Sequence, residues 1–330
     1  MEWLHKYLQK FKIYSDFIEW TKHCILPGFS SLPLYTVAAF FFKEIGKDEL
    51  LNKSSSLAYN FMLAIFPAII FLFTLIPFVP IHDFQDQLLS IIQLLLPSNA
   101  YIAFEATLKD IVKNQNGGLL SFGFFSAIFF ATNGVVNLMK AFNRSSLIVE
   151  TRGWLRKRLV ALVLTFAIVV SIIVCIGALA ASDYLRDYLQ LHLHFKHNVI
   201  VDNAILLVKW IFLVGLYFIN ISILYRYGPS HTKKWRLFSS GAFLATILAF
   251  LTIWGFTFYI NHFASYNKIY GSIGTLIVIM IWLYLNSLIL LVGFELNASI
   301  QVSKRVYKVV KPRLNIFKES SNIITQPKKN

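Results

Sequence analysis

Residues 266–299 read YNKIYGSIGTLIVIMIWLYLNSLILLVGFELNAS, and the reading of this stretch decides the fold. Between Lys268 and Glu295 lie 26 residues without a charge. At 1.5 Å of rise per residue a helix of that length covers about 39 Å, more than the roughly 30 Å hydrocarbon core of a bilayer. The window is therefore a membrane span. Trp282 and Tyr284 cannot both sit at an interface in such a span, so they face neighbouring helices. Glu295 closes the stretch, a carboxylate placed where the helix has not quite left lipid.

Composition extends this reading to the whole chain. Hydrophobic residues make up 57% and charged residues 14%, against about 25% charged in a soluble domain. A net charge of +15 on so apolar a chain points to an anionic membrane surface rather than to nucleic acid. The two cysteines, Cys24 and Cys175, fall in different compartments of the expected topology and define neither a disulfide framework nor a zinc site. Residues 1–22 carry Lys6, Lys10 and Lys12 where a signal peptide would need a continuous apolar core, so none is expected.

Six windows read as spans: 57–80, 118–139, 159–182, 203–225, 237–262 and 273–296. Lys209 interrupts the fourth near one end, where its side chain reaches the interface. Residues 87–104 are also charge-free, but Gln87, Gln93, Pro97, Ser98 and Asn99 assign them to two amphipathic helices outside the membrane, broken at Pro97. Loop charge supports that choice. Of 31 Lys and Arg residues, 25 fall in the N-terminal segment, the second and fourth connections and the tail, and 5 in the alternate connections. Both termini are therefore expected in the cytoplasm.

The expected protein is all-α and polytopic, with six transmembrane helices and flanking amphipathic helices. Residues 1–53 form cytoplasmic amphipathic helices, the first over 3–11 and the second over 34–51. Residues 54–302 form the transmembrane domain with outer amphipathic helices at 84–116, and 303–330 form a basic cytoplasmic tail. The tail and the basic loops favour anionic lipid as a partner.

Polar residues inside spans are the best pointers to function, because each is either satisfied without water or lines a wet cavity. In the expected orientation Tyr59 and Asn60, Asn133 and Asn137, Asn220, and Glu295 with Asn297 all lie toward the cytoplasmic ends of their spans. They define a candidate cleft open to the cytoplasm, Glu295 its titratable group and the amides its ligand-orienting groups. The alternative is that the amides are interhelical hydrogen bonds. Glu295 is expected to be protonated, hydrated or paired with Lys140, Arg158 or Arg226.

Gly123 with Ala127, Gly177 with Ala181, and Gly271 with Thr275 are small-residue pairs at the spacing of close helix crossings. His192, His194 and His197 share the third connection with Asp183, Asp187 and Asp202, but the spacing matches no zinc motif, and no metal is expected. No nucleotide-binding or nucleophile-elbow motif is present, so no cofactor and no enzymatic activity are expected.

Several segments carry a resemblance: Ser55 to Phe61 with Pro67; Asn143 with Arg152 and Trp154; Arg226 to Pro229 with Trp235; Tyr266 to Gly274, with Tyr270, Gly271, Ser272 and Gly274 at its centre; and Gly293 to Asn297. Together they resemble the YihY/BrkB family of bacterial inner-membrane proteins over roughly residues 30–300. Where that family commonly reads Gly-Ala-Glu-Leu-Asn, this chain has Phe294. The resemblance implies a six-helix bacterial inner-membrane protein. The family once carried the label ribonuclease BN, one branch is tied to serum resistance, and members have been suspected of transport, including lipid export.

The function expected from these readings is a transporter or lipid-handling permease acting on a small molecule or a lipid. The alternatives are a membrane scaffold without transport and a membrane-bound ribonuclease. The ribonuclease is disfavoured because the cytoplasmic side offers dispersed acids rather than clustered metal ligands, and no nucleic-acid partner is expected.

Overall fold

The computed structural model describes residues 12–25, 29, 32–46, 48–78, 112–145, 150–192, 199–230, 237–263 and 272–310, with short pieces between 85 and 110. The expected helix at 3–11, most of 84–111 and the tail beyond 310 lie outside the described residues. Eight helices run through the described chain, and no strand occurs among the described residues. They are α1 (Lys12–His23), α2 (Leu34–Ile45), α3 (Asp48–Leu75), α4 (Gly117–Ser145), α5 (Trp154–His192), α6 (Val199–Tyr227), α7 (Ser240–Phe263) and α8 (Ser272–Val310).

Six of these, α3 to α8, are long and apolar enough to cross a membrane; they contain four of the windows read from the sequence and overlap most of the other two, 57–80 and 237–262. Only 6% of the apolar window of α6 and 11% of those of α3 and α5 are buried within the protein. Phe125, Phe166, Ile211 and Trp254 stand on the outer surface. Such an apolar exterior suits acyl chains as the surrounding solvent.

The spans pack in chain order, each against the next, and α8 closes the ring on α3 while also touching α4. Burial is concentrated at one end. Leu57 of α3, Met139 and Phe142 of α4, Ala161 of α5, Tyr225 of α6, Ala245 of α7 and Phe294 of α8 form one cluster, all in the halves of the helices nearest the basic connections. Phe142 and Phe294 stack with centroids 4.1 Å apart, and Tyr225 meets both edge-on at 5.5 Å. Phe294 is fully buried here. Its bulk therefore fills the space between α4, α6 and α8.

Glycines permit the tightest crossing. A Cβ on Gly241 of α7 would lie 2.0 Å from the Gly293 carbonyl of α8, and one on Gly293 would lie 2.6 Å from the Tyr225 hydroxyl. The Tyr225 hydroxyl donates to the Leu290 carbonyl at 2.7 Å. Gly123 likewise rests on the Phe71 backbone, as expected for a close-packed small pair. Gly177 does not: nothing lies within 4 Å of its would-be Cβ. Ala181 of that pair instead borders an apolar groove of about 400 Å³ between α5 and α6, so the small residues there open a gap on the lipid side.

The second amphipathic helix is shorter than expected. It ends at Ile45, with the Gly46 N–H bonded to the Phe42 carbonyl at 3.1 Å, and α3 begins at Asp48 and runs unbroken through Pro67 to Leu75. Gly46 is the weak point, since glycine is among the poorest helix formers. Residues 48–51 thus belong to the first span's helix. Val37 of α2 packs with Phe29, Leu32 and Ile300 of α8, which holds α2 across the end of the bundle. At the other end the first connection folds back on the 3-10 turn Ile76–Phe78 that follows α3: Gln85 and Gln115 donate to the Ile76 and Pro77 carbonyls at 3.3 and 3.1 Å, and Lys113 pairs with Asp86 at 2.8 Å.

Candidate functional site

The C-terminal half of α8 carries Glu295, Ser299 and Val302 at the spacing of one helical face. Because α2 lies across this end, that face does not pack against a span along its whole length. It borders a cavity of about 370 Å³, within the size range of small-molecule sites. The opposite wall comes from Phe40, Lys43 and Glu44 of α2 and from Glu49, Leu50 and Lys53 of α3. Arg144 and Ser145, the last residues of α4, complete it.

Glu295 and Ser299 are 4% and 2% exposed, and Glu295 interacts with another group. Lys53 pairs with Glu49 one helical turn away at 3.4 Å. The Ser145 and Ser299 hydroxyls are buried and have no hydrogen-bond partner. The cavity thus combines charges of both signs, a buried carboxylate and serines with unused hydroxyls at the end of the bundle nearest the basic connections.

Of the seven residues expected to share a cleft, Glu295 alone lines this cavity. The amides are used elsewhere. Asn60 donates to the Ser56 carbonyl at 2.7 Å and Asn220 to the Leu216 carbonyl at 3.0 Å, each within its own helix. Asn137 of α4 donates to the Ser56 hydroxyl of α3 at 2.9 Å. Asn133 accepts a short hydrogen bond from Arg158 of α5, whose guanidinium also lies over the Phe129 ring. Asn297 accepts from the Gly241 N–H at 2.8 Å and donates to the Ser239 hydroxyl at 2.9 Å, fixing the start of α7 against α8. Tyr59 is exposed on the surface of α3. Arg158 is engaged with Asn133, and the cations that line the cavity with Glu295 are Lys43, Lys53 and Arg144.

The cations and the serines were legible only in part. Ser299, one turn beyond Glu295, was the available signal in the sequence. Lys43, Lys53 and Arg144 read as ordinary loop and surface charge until α2 and the end of α4 are placed beside α8.

The motif residues separate into two groups. Tyr270 and Gly271 lie outside the described residues, Ser272 begins α8, and Gly274 is buried. Asn143 is part of a clamp between two connections. Its amide donates to Glu150 at 2.7 Å while its carbonyl oxygen accepts the Ser230 N–H at 2.8 Å. Arg152 closes on Glu150 through Nε at 2.7 Å and Nη2 at 3.0 Å, and Nη2 also donates to the Gly228 carbonyl at 2.8 Å. Partial burial pushes the Glu150 carboxyl up, but the hydrogen bonds and charge of Arg152 outweigh it and hold the pKa below the ordinary carboxylate value. Among the residues whose side chains are described, no group of three His, Cys, Asp or Glu is placed to hold a metal ion; His192, His194, His197, Asp183, Asp187 and Asp202 lie outside them.

Six apolar spans closed into a ring, with a polar cavity at one end, define a polytopic helical membrane protein. A family model for virulence factor BrkB matches residues 41–314, and the chain belongs to that family. It is 33% identical over 256 residues to a ribonuclease-like protein, YfkH, of Bacillus subtilis, covering 77% of this chain and 91% of that one. It is 26% identical over 287 residues to a UPF0761 membrane protein of Tolumonas auensis, covering 84% and 90% respectively. A UPF0761 membrane protein of Stenotrophomonas maltophilia is 26% identical over 269 residues, which cover 81% of this chain and 61% of that longer relative. No solved structure matches the chain. With six spans and these relatives, it is a multi-pass bacterial membrane protein.

Proposed function

We propose that the protein is a permease that takes a small molecule or a lipid headgroup into the cavity at the cytoplasmic end of the bundle, with Glu295 as its proton-responsive group. The observation that carries this reading is a cavity of about 370 Å³ lined by a buried carboxylate and by hydroxyls without partners. A scaffold gains nothing from leaving such hydroxyls without partners, since each unsatisfied buried donor costs stability. The amides of the bundle support the framework: they bond within and between helices and keep the walls in place. No chemical step on the substrate is part of this reading.

The test uses purified protein in liposomes carrying fluorescent phosphatidylglycerol, its movement read by quenching from outside, together with a panel of soluble substrates at acidic and alkaline pH. Wild type is expected to give pH-dependent movement and Glu295→Gln to lose that dependence with folding intact. Absence of movement for every probe would sink the reading.

The name of the Bacillus subtilis relative suggests a different activity, cleavage of RNA. An assay of the purified chain with RNA substrate separates the two: the permease reading expects no cleavage.

A further inference from the structure

We infer that the occupant of the cavity carries a phosphate group, held by Lys43 and Arg144 and hydrogen-bonded by Ser145 and Ser299. This rests on the reading of the cavity as a binding site and names the chemistry it takes.

The charges lining the cavity are not equally available. Glu49 is paired with Lys53 at 3.4 Å, and Glu44 and Glu295 each interact with another group. Lys43 and Arg144 form no ion pair or hydrogen bond among the described residues. Three acids and three bases line the cavity, so its formal charges balance, and Lys43 and Arg144 are the two bases without a partner among the described residues. Each of these cations stands in the last turn of its helix, α2 or α4. Compensation of the helix dipole accounts for a cation at such a position. It does not account for the serines.

A serine inside a helix ordinarily returns its hydroxyl to the carbonyl one turn back. Ser54 and Ser55 do so, to Leu50 and Leu51 at 2.9 and 3.0 Å, as does Thr246 to Ala242 at 2.9 Å. Ser145 and Ser299, which line the cavity and whose hydroxyls are buried, do not, and neither do Ser222 and Ser287 elsewhere in the bundle. Ser303, one turn beyond Ser299, is a further buried hydroxyl without a partner. Two cations and two serines line one space. A phosphomonoester offers three non-bridging oxygens to them and a phosphodiester headgroup two, and either pairs strongly with guanidinium. The volume admits a headgroup-sized ligand, and the position at the membrane surface allows either a lipid headgroup or a soluble phosphorylated solute to enter.

The experiment is equilibrium binding to the purified full-length protein, by calorimetry in detergent with glycerol 3-phosphate and with glycerol. In parallel, native mass spectrometry measures lipid retained from nanodiscs of phosphatidylglycerol or of uncharged diacylglycerol in phosphatidylcholine. Binding of glycerol 3-phosphate but not glycerol supports a soluble phosphorylated solute. Retention of phosphatidylglycerol without binding of glycerol 3-phosphate supports a lipid headgroup. In either case Arg144→Gln and Lys43→Gln, both at exposed positions, each weaken binding by about tenfold, as expected for a lost charge-assisted contact. Ser299→Ala weakens it less. Equal binding of the phosphorylated and uncharged probes, no binding of either, or unchanged affinity in both cation variants overturns the assignment. A protein that binds phosphate but moves nothing across liposomes removes the permease reading alone. One that moves a substrate without binding phosphate removes this one alone.

Discussion

Asn143 and Ser230, 87 positions apart in sequence, are joined by a 2.8 Å hydrogen bond from the Ser230 backbone N–H to the Asn143 side-chain oxygen. The same amide donates to Glu150 at 2.7 Å, so one 5% exposed side chain ties the connection after α4 to the connection after α6. Asn143→Ala is expected to destabilise the protein by about 1–3 kcal/mol, the cost of leaving buried partners unsatisfied. Asn143→Asp is expected to do worse at neutral pH, because a second carboxylate then faces Glu150. Thermal unfolding of the three proteins in the same detergent checks the order.

Glu150 gives this clamp a pH dependence whose sign is fixed. Its pKa in the folded protein lies below the ordinary value despite partial burial, because Arg152 stabilises the charged form. A depressed carboxylate contributes stability that is present above its unfolded pKa and is lost as pH falls through the folded one. Wild type should therefore lose more stability than Glu150→Gln when the pH is lowered through and below the ordinary carboxylate range. Identical acid limbs for the two proteins would show that the Arg152 pair contributes nothing. High salt should shrink the difference only in part, since the Arg152 and Glu150 side chains are 10% and 23% exposed.

Two glycines separate contact from open space. Gly241→Ala places a methyl carbon 2.0 Å from the Gly293 carbonyl and 2.6 Å from the Asn297 side chain, neither of which can yield without parting α7 from α8. Its product is expected to express poorly and to unfold at much lower temperature. Gly177→Ala meets nothing within 4 Å. It is expected to be neutral or slightly stabilising, because alanine is the better helix former by about 1 kcal/mol. Fluorescence-monitored size exclusion of both variants decides it.

The spans were legible because each needs only length and hydropathy, both local properties: Gly118 to Met139 and Ile273 to Leu296 fall inside observed helices. The direction of the polar residues around each helix was not legible. Asn60 and Asn220 turn to carbonyls of their own helices, a local bond that competes with any shared cleft. Glu295 could be singled out from the sequence because a membrane carboxylate has few alternatives. Its neighbours could not, because Lys43 of α2, Lys53 of α3 and Arg144 of α4 come to line the same cavity through tertiary packing, which no periodicity encodes. Glu150 escaped notice for a similar reason: its importance comes from Asn143 and Arg152 folding around it.

Glu295 and Asn220 therefore answer differently to substitution. Glu295 is 4% exposed and lines the cavity, and the permease reading makes it the group that answers to pH. Asn220 is absent from that lining, and its amide bonds to Leu216 one turn back in α6. Under the permease reading, Glu295→Gln keeps the shape and hydrogen-bonding capacity of the side chain but not its charge, so movement in liposomes is expected to become independent of pH. Asn220→Ala is expected to leave the pH profile unchanged. A pH profile that shifts in Asn220→Ala but not in Glu295→Gln would move the proton-responsive step out of the cavity and back into the span amides. If instead both profiles match wild type, neither residue takes part in proton coupling and the cavity binds its ligand without it.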